Sequence, residues 1–327
     1  MIRAVDFQPP HWLRNPHLQS VLGSSAMRRH RAQRTLEATG AVTQAHILDG
    51  GAGVRLQALH SAVPGRPSQG LALLLHGWEG STESNYMRMT AAHLLEAGFE
   101  VVRLNFRDHG DTHHLNEEIF HSNLLDEVVN AAGDAVRRFG AQRLVAAGYS
   151  LGGNFVLRLA LRAPAAGLPL ARVAAVCPVL DPDATMHRIE RGLPLYHWYF
   201  QRKWRHSLRR KRELFPQLHD YGDDVLRLGV RDLTGWLVEH HTEFGTLENY
   251  FEGYSIAGSR IAGLSVPTDV LMAEDDPVIP YATFSNWQLP SSACLEVARW
   301  GGHCGFLHNA AGEGFAERWV TARLALE

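Results

Sequence analysis

Ser150 lies between Gly148 and Gly152, with an apolar run before it and a helical pattern after it. Arg143-Leu144-Val145-Ala146-Ala147 predicts a short buried strand, and Gly153 to Arg162, carrying Phe155, Leu157, Leu159 and Leu161, predicts a helix. A serine on so sharp a strand-to-helix turn takes a strained backbone conformation. Side chains two residues to either side would collide with neighbouring backbone, and glycine removes that collision. The hydroxyl then stands exposed at the carboxyl edge of a sheet, where a nucleophile can reach a substrate. The next backbone N–H, that of Leu151, opens a helix and is a candidate donor to an oxyanion.

Three further stretches supply groups that such a serine would need. The apolar run Leu71–Leu75 ends at His76-Gly77-Trp78-Glu79-Gly80, a glycine-rich turn with neither a Walker lysine nor a G-x-G-x-x-G spacing. His76 is expected to tie this loop through its ring nitrogens. The run Val266–Ala273 leads into Glu274-Asp275-Asp276-Pro277, three acids at a strand end, any of which can hold a histidine tautomer. Leu295–Trp300 leads into Gly301-Gly302-His303-Cys304-Gly305, a histidine between glycines after the last strand. The chain order is serine, acid, histidine.

These turns require a scaffold, and the pattern predicts one. Strands are expected near Thr43–Leu48 and Val54–His60, with Gly50-Gly51-Ala52-Gly53 as a hairpin signal between them. Leu71–Leu75, a helix about Tyr86–Ala97, Glu100–Asn105, a helix about Leu124–Phe139, the serine strand and helix, and Arg172–Cys177 then alternate. That alternation predicts a mostly parallel central sheet flanked by helices. Residues 1–40 read as an N-terminal arm rather than a strand. The core is expected over 41–182 and 263–327, with 183–262 as a helical cap, or lid, inserted over Ser150. Within the cap, Tyr196, Phe200, Trp204 and Leu208 recur every four residues, one face of a helix. Phe200 and Trp204 are candidate walls of an acyl pocket. Arg202, Lys203, Arg205, Arg209, Arg210, Lys211 and Arg212 occupy much of the rest of that helix. They are expected to be a solvated face, with peripheral contact to anionic lipid as a second use.

The chain has 327 residues, 45% hydrophobic and 20% charged, and a formal net charge of −2, so no bulk attraction to nucleic acid is expected. Cys177, Cys294 and Cys304 form no C-x-x-C pair, which fits a reducing cytoplasm, the expected location. No transmembrane segment is expected, nor a secretory leader at Met1-Ile2-Arg3. His109, His113, His114 and His121 cluster in sequence without ligand spacing, so they are expected to form a polar loop and no metal is expected.

With these residues in place, the chain resembles the YheT-like esterase branch of the α/β-hydrolases, relatives of the eukaryotic abhydrolase-type lipid hydrolases. The resemblance rests on Arg14-Asn15-Pro16-His17-Leu18-Gln19-Ser20, His76-Gly77-Trp78-Glu79-Gly80-Ser81 and Asn105-Phe106-Arg107. It continues through Gly148-Tyr149-Ser150-Leu151-Gly152-Gly153-Asn154, Cys177-Pro178, Asp275-Asp276-Pro277 and Gly301-Gly302-His303. It departs from that pattern at Asp108-His109-Gly110. The resemblance implies an α/β-hydrolase fold, with Ser150 as nucleophile, Asp276 as acid and His303 as base. It also implies backbone N–H groups of Trp78 and Leu151 as the oxyanion hole. It further implies a cofactor-free hydrolase of small-molecule carboxylic esters with short to medium acyl chains, or of acylglycerols. An acyltransferase using the same triad, and a non-catalytic lipid- or protein-binding relative, are the alternatives. Nothing in the sequence addresses the oligomeric state.

Overall fold

The computed structural model describes residues 1–326. The order of elements is β1 (Ile2–Ala4), α1 (Pro16–Gly23), α2 (Ala26–Ala38), β2 (Val42–Asp49), β3 (Arg55–Ala62), β4 (Leu71–Leu75), α3 (Asn85–Glu96), β5 (Glu100–Leu104), α4 (Leu125–Phe139), β6 (Leu144–Tyr149), α5 (Leu151–Arg162) and β7 (Leu170–Val176). Four helices follow: α6 (Pro182–Arg191), α7 (Pro194–Leu214), α8 (Val230–His241) and α9 (Leu247–Tyr254). The chain then completes the sheet with β8 (Thr268–Ala273) and β9 (Ala293–Ala298), and closes with α10 (Phe315–Leu324).

The nine strands lie in the order β1-β9-β8-β7-β6-β4-β5-β3-β2. Every pair from β1 to β5 across the sheet is parallel, and β3 and β2 add an antiparallel edge. The composition of the central strands accounts for their place. Leu71–Leu75, Leu144–Tyr149 and Thr268–Ala273 are buried at every position, so they read as continuous apolar runs rather than alternating ones. Helices α2, α3 and α10 pack together, as do α4 and α5, so the sheet is sandwiched between layers. The result is an α/β-hydrolase fold with a mostly parallel sheet flanked by helices.

Strand β4 is followed by β5 on one side and β6 on the other, which makes the β4/β6 boundary the point where strand order reverses. Loops leaving the carboxyl ends of strands at such a point open a crevice that a ligand can enter. The His76 turn leaves β4 there and the Ser150 turn leaves β6.

The first forty residues differ from the expected arm. Ile2–Ala4 pairs in parallel with Leu295–Val297 as an edge strand. Helix α1 is capped by Asn15, whose side chain accepts from the N–H groups of His17 and Leu18, and begins at Pro16. Helix α2 is joined to α10 by the buried Arg28–Glu317 ion pair. Helices α6–α9 occupy the segment between β7 and β8 where the alternation of strand and helix was expected to stop. Lys211 departs from the solvated basic face expected of α7. It is buried, its Nζ lies 2.6 Å from Asp108, and it donates to the carbonyls of His113 and Asn116. Removing one partner of a pair this deeply buried strands a charge, so the pair fixes α7 on the core.

Candidate active site

The Ser150 turn is strained in the manner its flanking glycines anticipate. Ser150 has φ +54°, a left-handed value rare for a residue with a side chain. A Cβ on Gly148 would lie 2.0 Å from the Gly152 carbonyl oxygen, and one on Gly152 would lie 2.3 Å from that of Leu75. Neither position can hold any other residue without moving the backbone. Behind the turn, the Asn154 side chain donates to the carbonyls of Val179 and Tyr254 and accepts from Arg158. One buried amide therefore ties the serine helix to α9.

Ser150, His303 and Asp276 are brought together from the ends of three strands. Ser150 Oγ lies 2.9 Å from His303 Nε2, and His303 Nδ1 lies 2.9 Å from Asp276 Oδ2. The other carboxylate oxygen of Asp276 accepts from the N–H groups of Val278 and Ile279, at 2.8 and 2.9 Å. A carboxylate so held accepts from Nδ1–H and leaves Nε2 free to accept from the serine. Burial alone would lower the His303 pKa, but the Asp276 charge and hydrogen bond, with the Cys304 sulfur, outweigh it and raise the pKa to about 9.

The two remaining acids lie elsewhere. Asp275 points at the histidine loop, where its Oδ1 accepts from Gly302 N–H at 2.9 Å. Burial raises its pKa to about 6, against the opposing Gly302 hydrogen bond and with help from the Asp276 charge. Glu274 is exposed.

On the β4 side, the His76 turn is closed by Gly80 N–H to Gly77 O, and Gly77 N–H donates to the Tyr86 hydroxyl. His76 binds the Gly77 carbonyl through Nδ1 at 2.8 Å and accepts from Phe106 N–H at Nε2. Both nitrogens are therefore structural, and burial holds the ring neutral with a pKa of about 4. The N–H groups of Trp78 and Leu151 find no acceptor among the described residues. Both are left available to a ligand, one on the turn after β4 and the other at the first position of α5.

Some positioning residues carried a sequence signal but no assigned role. Ser20 Oγ accepts from His303 N–H at 2.9 Å. Gln19, fully buried, donates to the carbonyls of Leu13 and Leu307 and accepts from Leu307 N–H. Helix α1 thus clamps the histidine loop from nearly three hundred residues upstream. The conspicuous Arg14–Ser20 run was the signal, although spacing alone could not say what it touches.

An apolar pocket opens beside Ser150 and Leu151, lined by Val179, Met186, Ile189, Leu237 and Ile279 among others. Phe200 and Trp204 of α7 line it too. Phe200 stacks on Trp78 with centroids 5.2 Å apart, and Trp204 meets Trp78 edge-on at 5.4 Å. The turn that presents the Trp78 N–H is therefore packed directly against α7.

Two groups of side chains approach metal-ligand spacing, Cys177-His303-Cys304 and Asp269-Cys294-Glu296. In these groups His303 is engaged as described, Asp269 pairs with Arg172, and Glu296 binds Trp319 and Arg323. In the histidine loop expected from sequence, His109 Nδ1 binds the Arg107 carbonyl and His113 Nε2 the Ser207 hydroxyl. Among the described residues no helix is long and apolar enough to cross a membrane.

The family model described as alpha/beta hydrolase fold matches residues 72–310. The chain is 24% identical to "Putative esterase slr0264" of Synechocystis sp., over 93% of this chain and 88% of that one. It is 23% identical to "Putative esterase YheT" of Escherichia coli (strain K12), over 72% and 70%. Among solved structures it is similar in fold to the Pyrococcus furiosus esterase PF2001, with a TM-score of 0.58, 13% identity, and coverage of 88% of this chain and 91% of that one. With this fold, and with a serine, an acid and a histidine leaving its strand ends, the chain belongs to the alpha/beta hydrolase fold family, within which it sides with the YheT-like proteins.

Proposed function

We propose that the protein is a serine hydrolase of carboxylic esters. The carrying observation is the continuous chain Ser150 Oγ, His303 Nε2, His303 Nδ1, Asp276 Oδ2, each contact 2.9 Å. His303 takes the serine proton as Ser150 Oγ attacks the acyl carbonyl. The negative oxygen that develops is received by the Trp78 and Leu151 N–H groups. The tetrahedral centre collapses, the C–O bond to the alcohol breaks, and His303 returns the proton to the departing oxygen. Water then adds to the acyl-serine by the same route in reverse and releases the acid. The Asp276 carboxylate supports the imidazolium that forms at each stage. The test is covalent labelling by a fluorophosphonate, followed by turnover of a chain-length series of nitrophenyl esters. No labelling of Ser150 and no turnover would end this reading. If added alcohol captures most of the acyl group, the reaction is transfer rather than hydrolysis.

The segment 183–262 is proposed as the lid, with Phe200 and Trp204 as walls of the acyl pocket. Phe200→Ala and Trp204→Ala should lower kcat/KM on longer acyl esters more than on an acetyl ester. A longer chain buries more apolar surface there, at about 0.8 kcal/mol per methylene. Equal losses at every length would place the two rings outside the acyl path.

The pH dependence follows from the base. Only neutral imidazole accepts the serine proton, and a pKa of about 9 leaves His303 mostly protonated at neutrality. kcat/KM should therefore climb with pH through neutrality and level off only above the His303 pKa, well alkaline of an ordinary histidine. A rate flat from about pH 5 to 8, with chemistry shown to limit it, would remove histidine from this role.

A further inference from the structure

This inference rests on the ester-cleaving reading and names the other half of the substrate. Ser150, Trp78 and Phe200 line two compartments, the apolar pocket and a second, wider cleft that also holds His303. Helix α7 faces both. Phe200 and Trp204, four residues apart, line the pocket. Lys203, His206 and Arg210, spaced by three and four, share an adjacent face and line the cleft. Lys203 Nζ donates to the Glu79 carbonyl at 2.7 Å, one residue beyond Trp78. From Lys203 to Arg210 the helix rises about 10 Å. Cationic groups therefore run outward from the oxyanion turn over the length of a small polar headgroup.

The cleft is positive although the chain as a whole carries a formal charge of −2. Arg202 and Arg209 also line it, as do Arg29 of α2 and Arg88 of α3. Its acids do not balance them. Glu83 is paired with Arg88, and Asp108 with Lys211. Burial raises the Glu79 carboxyl to about 8, Lys203 opposing in part and Asp108 reinforcing, so it carries little charge at neutrality. Asp111 is the remaining acid on the cleft wall. Among the described residues Arg29, Arg202, Lys203 and Arg209 have no carboxylate partner. Several unpaired cations, most of them arginines, suit a multiply charged oxyanion that accepts paired hydrogen bonds.

We propose that this cleft takes the alcohol half of the ester and that this half carries a phosphate group, so that the substrate is a phosphate-bearing alcohol acylated by an apolar acid. The acyl chain enters the pocket, the phosphate lies along the cationic face of α7, and the scissile carbonyl sits between them at Ser150.

The test compares the hexanoyl esters of glycerol and of glycerol 3-phosphate, both kept monomeric. At low salt kcat/KM should favour the phosphorylated ester by about tenfold or more, and the ratio should fall as sodium chloride is added. Inorganic phosphate should inhibit competitively. The double substitution Arg209→Gln, Arg210→Gln, at two exposed positions, should bring the ratio towards one. A ratio at or below one, or a ratio indifferent to both salt and the substitutions, would overturn the proposal. So would a preference seen only when the ester is presented in anionic vesicles, which would assign the cations to a membrane surface. The ester-cleaving reading fails by a different result: no cleavage of either ester or of nitrophenyl butyrate, and no fluorophosphonate label on Ser150.

Discussion

Ser150→Ala should abolish fluorophosphonate labelling and lower ester hydrolysis by at least ~10³-fold while leaving the fold intact. The hydroxyl is held by the 2.9 Å hydrogen bond to His303, and it lines a cleft rather than the core. Removing one hydroxyl there opens no cavity. Alanine keeps the left-handed backbone at φ +54°, so the strain of the turn is unchanged, and loss of a polar group poised for chemistry is often neutral or stabilising. A melting temperature unchanged or raised, together with lost turnover, is the signature of a nucleophile. A folded variant that still labels and still cleaves esters would mean that the serine turn is only a glycine-rich connection and that any nucleophile lies elsewhere.

The parts of the molecule that were legible in the sequence share one property: their signal is local. Leu71–Leu75 and Leu144–Tyr149 are apolar because both faces are buried, and an uninterrupted run announces that. Gly148 and Gly152 announce a collision with backbone only a few residues away in the chain or on the adjacent strand. What stayed hidden depends on partners far apart. Ile2–Ala4 is too short to show a period, and its pairing with β9 closes a loop of nearly the whole chain. Ser20 and Gln19 look like ordinary polar positions of a short helix until the histidine loop folds onto them. Lys211 follows five other lysines and arginines within α7, and only the position of Asp108 across the boundary explains why it alone of them is buried. The basicity of His303 is hidden in the sequence for the same reason. Sequence reasoning starts from an unperturbed value near ~6.5, whereas the structure adds a fixed carboxylate in a site screened from water and raises it to about 9.

Asp276→Asn should cost on the order of 10² to 10⁴ in kcat, and Asp275→Asn much less, although the two residues are adjacent and both carboxylates touch the histidine loop. The difference is in what each contact controls. At position 276 an asparagine keeps an oxygen for the Val278 and Ile279 N–H groups, so the turn survives. Its amide nitrogen then faces His303 Nδ1, a donor where an acceptor stood. The imidazole answers by placing its proton on Nε2, and a protonated Nε2 cannot accept from Ser150. At position 275 the contact is with a backbone N–H, that of Gly302, and an asparagine oxygen serves it as well. The pH profile provides a second, independent readout. Asp276 is what raises the histidine against the lowering effect of burial, so Asp276→Asn should move the rising limb of kcat/KM to lower pH as well as reduce its height. Asp275→Asn should leave that limb nearly in place. If the larger loss and the shifted limb both appear at position 275, the acid is one residue earlier than the geometry assigns it. If neither substitution moves the limb, the group that titrates is not held by a carboxylate and His303 loses its role as base.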